Sequence, residues 1–332
     1  MDAGEFPWIK MPSRSTENIC YNPTLRQYVL GERTVKRSAR NVRHVRPFTQ
    51  LVWTAFFAHQ LSTQRKTSTL RDVYYSAQAY EMSFKDQAES DNVITDLETV
   101  VRLSREDFNI FPEERSAIFG DLTIEYTVPG YEGRRMNLTS HPDGLMIGPA
   151  LTYSEFVKTS ADKVIAIEKG GLFTRFIEDN VHQKYNALLV LTAGQAPRAT
   201  RHFIRRLNKE LELPVFIFTD GDPWGMHIAM VIISGSANAA HLRGLTTPDA
   251  TWSGVWATDI VDYDLPTDPL TEVDMKRLHE LQRDPRYTDK LWQREIKTFM
   301  KIRRKAEQEA FSRYGLTYIV DEYLPAKLEA TK

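Results

Sequence analysis

Residues 214–225 read PVFIFTDGDPWG. An apolar run of strand length, Pro214–Phe218, stops at Thr219 and gives way to Asp220-Gly221-Asp222. A strand that is apolar throughout belongs in a sheet covered on both faces, and such sheets are mostly parallel. Upstream, Lys163–Ile167 (KVIAI) and Ala187–Leu191 (ALLVL) have the same character. Helical patterns lie between and after these runs, over Leu172–Val181, Pro197–Leu211 and Trp224–Ile233. Strands alternating with helices predict an α/β fold with a parallel sheet. In such sheets ligands sit beyond the carboxyl ends of the strands. Glu168, Asp220 and Asp222 all fall there.

The region before this block reads differently, as a mixed α+β part. Pro47 is suited to open a helix, and Phe48–Leu61 is apolar enough to be a buried one. Thr69 and Asp72 have capping-box spacing ahead of a second helix, Leu70–Tyr80. A third helix is predicted over Ser90–Leu103, then a strand over Leu122–Val128. Three helices followed by a hairpin is the winged-helix pattern. The expected organisation is a basic arm over 1–46, a winged-helix domain over 47–150 and the parallel-sheet domain over 151–332. A long charged helix is expected over Asp289–Tyr314, capped by Thr288 and stopped by Gly315.

Composition narrows the function. Of 332 residues, 43 are Lys or Arg and 44 are Asp or Glu, a formal net charge of −1. That excludes a simple polycation coating nucleic acid, yet the charge is unevenly placed. No Asp or Glu occurs from Arg33 through Arg71, a stretch with nine Lys and Arg residues of the kind a phosphate backbone attracts. A solvated basic tail explains the same feature. No apolar run reaches the ~20 residues of a membrane helix, and Met1–Lys10 lacks a signal pattern. Cys20 is the sole cysteine, which rules out an intrachain disulfide or a multi-cysteine zinc site and points to a reducing compartment.

Three features carry chemistry. Carboxylates at i and i+2 in a strand-end turn, joined by a third from a neighbouring strand, form an oxygen site suited to Mg²⁺. Glu168, Asp220 and Asp222 are those residues; plain turn and cap chemistry is the competing reading of Asp-Gly-Asp. Second, Arg71 and Tyr75 are four apart and share one face of the predicted helix, whereas Tyr74 turns inward. A tyrosine becomes a useful nucleophile when a cation stabilises its phenolate; both tyrosines as packing aromatics is the alternative. Third, Gly194–Arg201 leads into a helix with Arg205 and Arg206, where Arg198, Arg201 and Arg205, together with Lys66, are candidates for phosphate contact.

Taken in order, these motifs resemble the family of topoisomerase VI A subunits and the meiotic double-strand-break protein. The carrying stretches are RDVYY (71–75), IEKGG (167–171), GQAPRATRHFIRRL (194–207), FTDGDPWG (218–225), LTEVDMKRL (270–278) and WQREIKTFMKIRRKAE (292–307). The resemblance implies a winged-helix domain followed by a Toprim domain, a Rossmann-like fold with an acidic Mg²⁺ site. It implies that Tyr75, the second tyrosine of the RDxYY pattern, attacks a phosphodiester of double-stranded DNA and becomes linked to the 5′ phosphate. Arg71 would assist, and Glu168, Asp220 and Asp222 would hold the metal. The family pairs two A subunits with two GHKL-type ATPase B subunits as A2B2, and the B subunit binds the ATP. Location with the nucleoid in the cytoplasm, or in a eukaryotic nucleus, follows from the same resemblance. A dedicated break-forming transesterase and a hydrolysing Toprim nuclease are the alternatives. A haloacid-dehalogenase-type phosphatase is disfavoured, since Pro223-Trp224 follows the acidic pair.

Overall fold

The computed structural model describes residues 5–330. Residues 1–4 of the expected basic arm and of the stretch read for a signal pattern, and residues 331–332, lie outside the described residues. The chain divides into two compact units, Met1–Glu113 with Ser236–Arg243, and Glu114–Gly235 with Gly244–Lys332. The division thus falls at 113, ahead of the expected boundary at 150, and a short later segment returns to the first unit.

The first unit is built on helices α1 (Val42–Gln64), α2 (Leu70–Ala79) and α3 (Gln87–Val101). Leu51, Trp53, Val73, Ala77, Ile94 and Leu97 form its core. Helix α1 starts before Pro47 because Asn41 caps it, its side chain accepting from the Arg43 N–H at 3.0 Å. The capping box of α2 is present: Asp72 N–H donates to Thr69 Oγ1 and Thr69 N–H to Asp72 Oδ2, both at 3.0 Å. The segment read as an arm is folded over its described part. Trp8–Pro12 pairs antiparallel with Thr34–Ser38, and Ile19–Asn22 with Gln27–Leu30. Two of the nine cations of the basic block, and Arg14 ahead of it, pair with α3: Arg14 and Arg37 reach Asp96 at 2.7 and 2.6 Å, and Arg46 reaches Glu89 at 2.8 Å.

The expected hairpin of a winged helix lies elsewhere. Leu122–Glu125 belongs to the second unit, between Arg135–Asn137 and Glu155–Thr159. Within the first unit, Ser68–Thr69 pairs instead with Ile110–Phe111.

The second unit centres on a six-stranded sheet: β1 (Ala117–Phe119), β2 (Leu145–Met146), β3 (Lys163–Ile167), β4 (Ala187–Leu191), β5 (Val215–Phe218) and β6 (Thr251–Gly254). Its order is β2-β1-β4-β3-β5-β6. Strands β4, β3, β5 and β6 run parallel, while β1 and β2 continue the sheet antiparallel. Helices α4 (Gly170–Glu178), α5 (Arg198–Glu210) and α6 (Pro223–Ser234) follow β3, β4 and β5. Val164–Ile167 and Leu188–Val190 are fully buried, as continuous apolar runs require. The expected helix Asp289–Tyr314 is shorter. It spans Lys290–Ile302 with Asp289 as its cap residue and stops at Arg303, which is left-handed at φ 52°. Arg304–Lys305 then pairs with Asp268–Pro269, and this pairing ends the helix. No helix among the described residues is long and apolar enough to cross a membrane.

Candidate active site

The chain runs from β3 to β4 on one side, then crosses back to β5 on the other side of β3. The carboxyl ends of β3 and β5 therefore flank the switch point where such sheets bind ligands. Glu168 ends β3 and Asp220-Gly221-Asp222 ends β5.

Main-chain groups lock the two turns together. Glu168 N–H donates to Phe218 O at 3.0 Å, and Asp220 N–H donates to Glu168 Oε2 at 2.9 Å. Asp220 Oδ1 accepts from the Gln308 N–H at 3.0 Å, and its Oδ2 lies 3.1 Å from Lys169 Nζ. Asp222 Oδ1 accepts from the Gly225 N–H at 2.6 Å and so caps α6. A Cβ on residue 225 would come within 2.1 Å of Asp220 O, which explains glycine there. Gly221 is bridged antiparallel to Ala306, with bonds of 2.8 and 3.0 Å.

Burial dominates the electrostatics, and repulsion between the acids adds to it at Glu168. Burial and then the Asp220 charge push Glu168 up to about 7. Burial pushes Asp220 up to about 6 against the Gln308 N–H and Lys169. Asp222 is also raised by burial, opposed by the Gly225 N–H and the Lys305 ammonium. Lys305 itself pairs with Asp274 at 2.9 Å. Three hard oxygen donors whose charge is only partly offset by Lys169 and Lys305 suit a divalent cation. They are not preassembled into a cage: no three His, Cys, Asp or Glu among the described residues converge as one. Asp220 and Asp222 are engaged by Lys169 and by the α6 cap instead.

On the first unit, Tyr75 is 53% exposed while Tyr74 packs against the core, as their positions on α2 predict. The Arg71 guanidinium lies 5.8 Å from the Tyr75 ring centroid. Hydrogen bonding to Tyr75 raises the Arg71 pKa further. A permanent cation therefore faces the phenol from one turn away on an exposed surface.

The candidate phosphate contacts are less uniform. Lys66 is exposed and Arg198 is half-buried. Arg201 is buried, at 5% exposure, and Arg205 Nη1 donates to Thr246 O at 2.6 Å. Arg201 is thus withdrawn from solvent, whereas half-buried Arg205 is tied to Thr246 within its own unit. Sequence reasoning missed Lys169, Lys305 and the Ala306–Gln308 segment. Lys169 stood in view beside Glu168; Gln308 lies 88 residues from Asp220 in the chain and carried no local signal.

Comparison with known proteins gives the family. Residues 163–328 match the family model for the Toprim domain of the topoisomerase 6 A subunit and Spo11, and residues 46–110 match the type IIB DNA topoisomerase model. The chain is 48% identical over 331 residues to the type 2 DNA topoisomerase 6 A subunit of Methanothermobacter thermautotrophicus, covering 99% of this chain and 93% of that protein. It is 39% identical over 332 residues to the corresponding protein of Archaeoglobus fulgidus, at 99% and 92% coverage. It is 38% identical over 328 residues to that of Methanosarcina acetivorans, at 97% and 88%. The chain belongs to the family of topoisomerase VI A subunits and Spo11, as a DNA cleavage subunit of the type IIB topoisomerases.

Proposed function

We propose that this protein cuts both strands of duplex DNA by transesterification, with Tyr75 as nucleophile. The phenolic oxygen attacks phosphorus, and a bond from tyrosine to the 5′ phosphate forms as the bond to the 3′ oxygen breaks. The phenol gives up its proton and the departing 3′ oxygen takes one up. One phosphodiester is exchanged for another, so the released 3′ hydroxyl reverses the step and reseals the strand. Arg71 stabilises the phenolate as it develops.

Glu168, Asp220 and Asp222 are the residues that would hold Mg²⁺. When bound, the cation neutralises phosphate charge during the exchange. Lys169 and Lys305 balance part of the acids' charge. The three-helix unit serves as a winged-helix-type DNA-binding domain with Lys66 toward the backbone, and Arg198 is a separate backbone contact on the second unit. Two copies of this chain act with two GHKL-type B subunits, which bind ATP, as an A2B2 assembly in the DNA-containing compartment of the cell.

The observation that carries the reading is the exposed Tyr75 with Arg71 facing it, in a chain whose acids crowd a sheet switch point. The test is denaturing capture of protein–DNA adducts from the chain mixed with its B subunit, ATP, Mg²⁺ and supercoiled plasmid. Tyr75→Phe is expected to abolish the adduct and Tyr74→Phe to retain it. Cleavage without any adduct would instead favour hydrolysis by a Toprim nuclease.

A further inference from the structure

We infer that Gln308 is a positioning residue that sets the spacing between Glu168 and Asp220 for a divalent cation. The inference rests on the proposed reading that these acids hold one. Gln308 is fully buried, at 0% exposure, and joins both acid-bearing turns. Its main-chain N–H donates to Asp220 Oδ1 at 3.0 Å, and its side-chain Oε1 accepts from the Lys169 N–H at 3.3 Å, next to Glu168. Among the groups that hold these turns, Gln308 does so through both its backbone and its side chain.

The segment that delivers it is firmly seated. Two residues earlier, Ala306 is paired with Gly221 in both directions, at 2.8 and 3.0 Å. Three residues later, Phe311 is buried with its ring centroid 4.1 Å from that of Tyr323. Gln308 is therefore held from both sides, and it cannot drift without moving the acids.

One atom of Gln308 remains unexplained by packing. Its Nε2 is buried and has no hydrogen-bond partner among the described residues. Buried donors are rarely left this way, and a residue that only filled space would not need the amide. The Nε2 belongs to the same planar amide as Oε1, so it lies beside the Glu168–Lys169 turn. It is placed to donate to a carboxylate oxygen when Glu168 and Asp220 turn from their present partners toward a cation.

The test uses the full chain with Mn²⁺ as probe, its binding followed by electron paramagnetic resonance. Gln308→Met keeps length and volume but has neither donor nor acceptor. It is expected to weaken Mn²⁺ binding about tenfold, the size of a lost hydrogen bond to a charged group. The Mn²⁺ needed for half-maximal DNA cleavage should rise in parallel, while the rate at saturating cation falls less. Gln308→Asn, which keeps the amide but is too short to reach Lys169, should shift binding the same way and guards against misfolding of the first variant. Wild-type Mn²⁺ affinity in either folded variant overturns the inference. If the wild-type chain binds no Mn²⁺, or Asp222→Asn binds it equally well, the proposed acid site fails instead, and the inference with it.

Discussion

The Asp220 N–H donates to the Glu168 carboxylate across 2.9 Å, so the two acids are held together before any cation arrives. Burial and the Asp220 charge raise Glu168 from 4.5 to about 7, and burial raises Asp220 from 3.8 to about 6. Both shifts are upward, so the folded chain binds more protons than the unfolded chain from about pH 4 to about pH 7. Stability therefore falls as pH rises through that window. Glu168→Gln keeps an oxygen to accept from Asp220 but removes a charge. In chelator at about pH 8 it is expected to stabilise the fold by on the order of 2 kcal/mol, with little gain near pH 4.5. Thermal unfolding at the two pH values measures this, and an unchanged or lower Tm at the higher pH would refute it. DNA cleavage should meanwhile fall at least about 100-fold.

Arg71 is exposed, so its replacement isolates chemistry from stability. Arg71→Ala is expected to slow formation of the tyrosyl–DNA adduct about 100-fold, as loss of one transition-state donor does. Unfolding free energy should stay within about 0.5 kcal/mol of wild type. Single-turnover cleavage at saturating DNA is the measurement. A defect that vanishes at high DNA concentration would make Arg71 a docking residue with no part in activating Tyr75.

The parts of this molecule governed by local pattern were legible in the sequence. Lys163–Ile167 and Ala187–Leu191 are strands with the predicted bounds, and Thr69 and Asp72 form the capping box their spacing implied. The acid pair was legible for the same reason, since an apolar run must end where the sheet ends. What was not legible depends on partners distant in the chain. Arg303 turns left-handed because Arg304–Lys305 pairs with Asp268–Pro269, and this overrides an otherwise helical run. Trp8–Pro12 and Thr34–Ser38 were not legible because they are short, half of their residues are exposed and Met11 alone is fully buried, too little apolar surface to mark a strand. Arg201 looked like one more cation on a basic helix, but its exposure depended on which helix face meets the sheet.

Gly225 and Gly170 make a matched pair. A Cβ at 225 would lie 2.1 Å from Asp220 O, while at 170 nothing lies within 4 Å. Gly225→Ala must push the start of α6 off the acidic turn, and is expected to cost about 3 kcal/mol or more and to weaken Mn²⁺ binding. Gly170→Ala should be neutral or stabilising by up to about 1 kcal/mol, because it restricts the unfolded chain. Urea unfolding of both variants tests the contrast. Equal stabilities would mean that the Gly225 backbone is not fixed by contact with Asp220.

His227, on α6, supplies an acid-side prediction independent of the metal. Its Nδ1 is buried without a partner among the described residues. Burial, with the charges of Arg277 and Arg286 and despite Asp284, lowers its pKa from 6.5 to about 4. The folded chain then binds fewer protons than the unfolded chain between those values. Stability is unaffected above about pH 6.5, is lost as pH falls through the window, and reaches its full loss below about pH 4. The loss is on the order of 2 kcal/mol after allowing for partial exposure. His227→Asn cannot titrate, so its stability should decline less steeply over the same range, whatever its value at neutral pH. Chemical denaturation in steps from about pH 7 to about pH 4.5 compares the slopes. Parallel slopes would show that His227 is protonated in the folded chain, which the two arginines and the buried ring oppose.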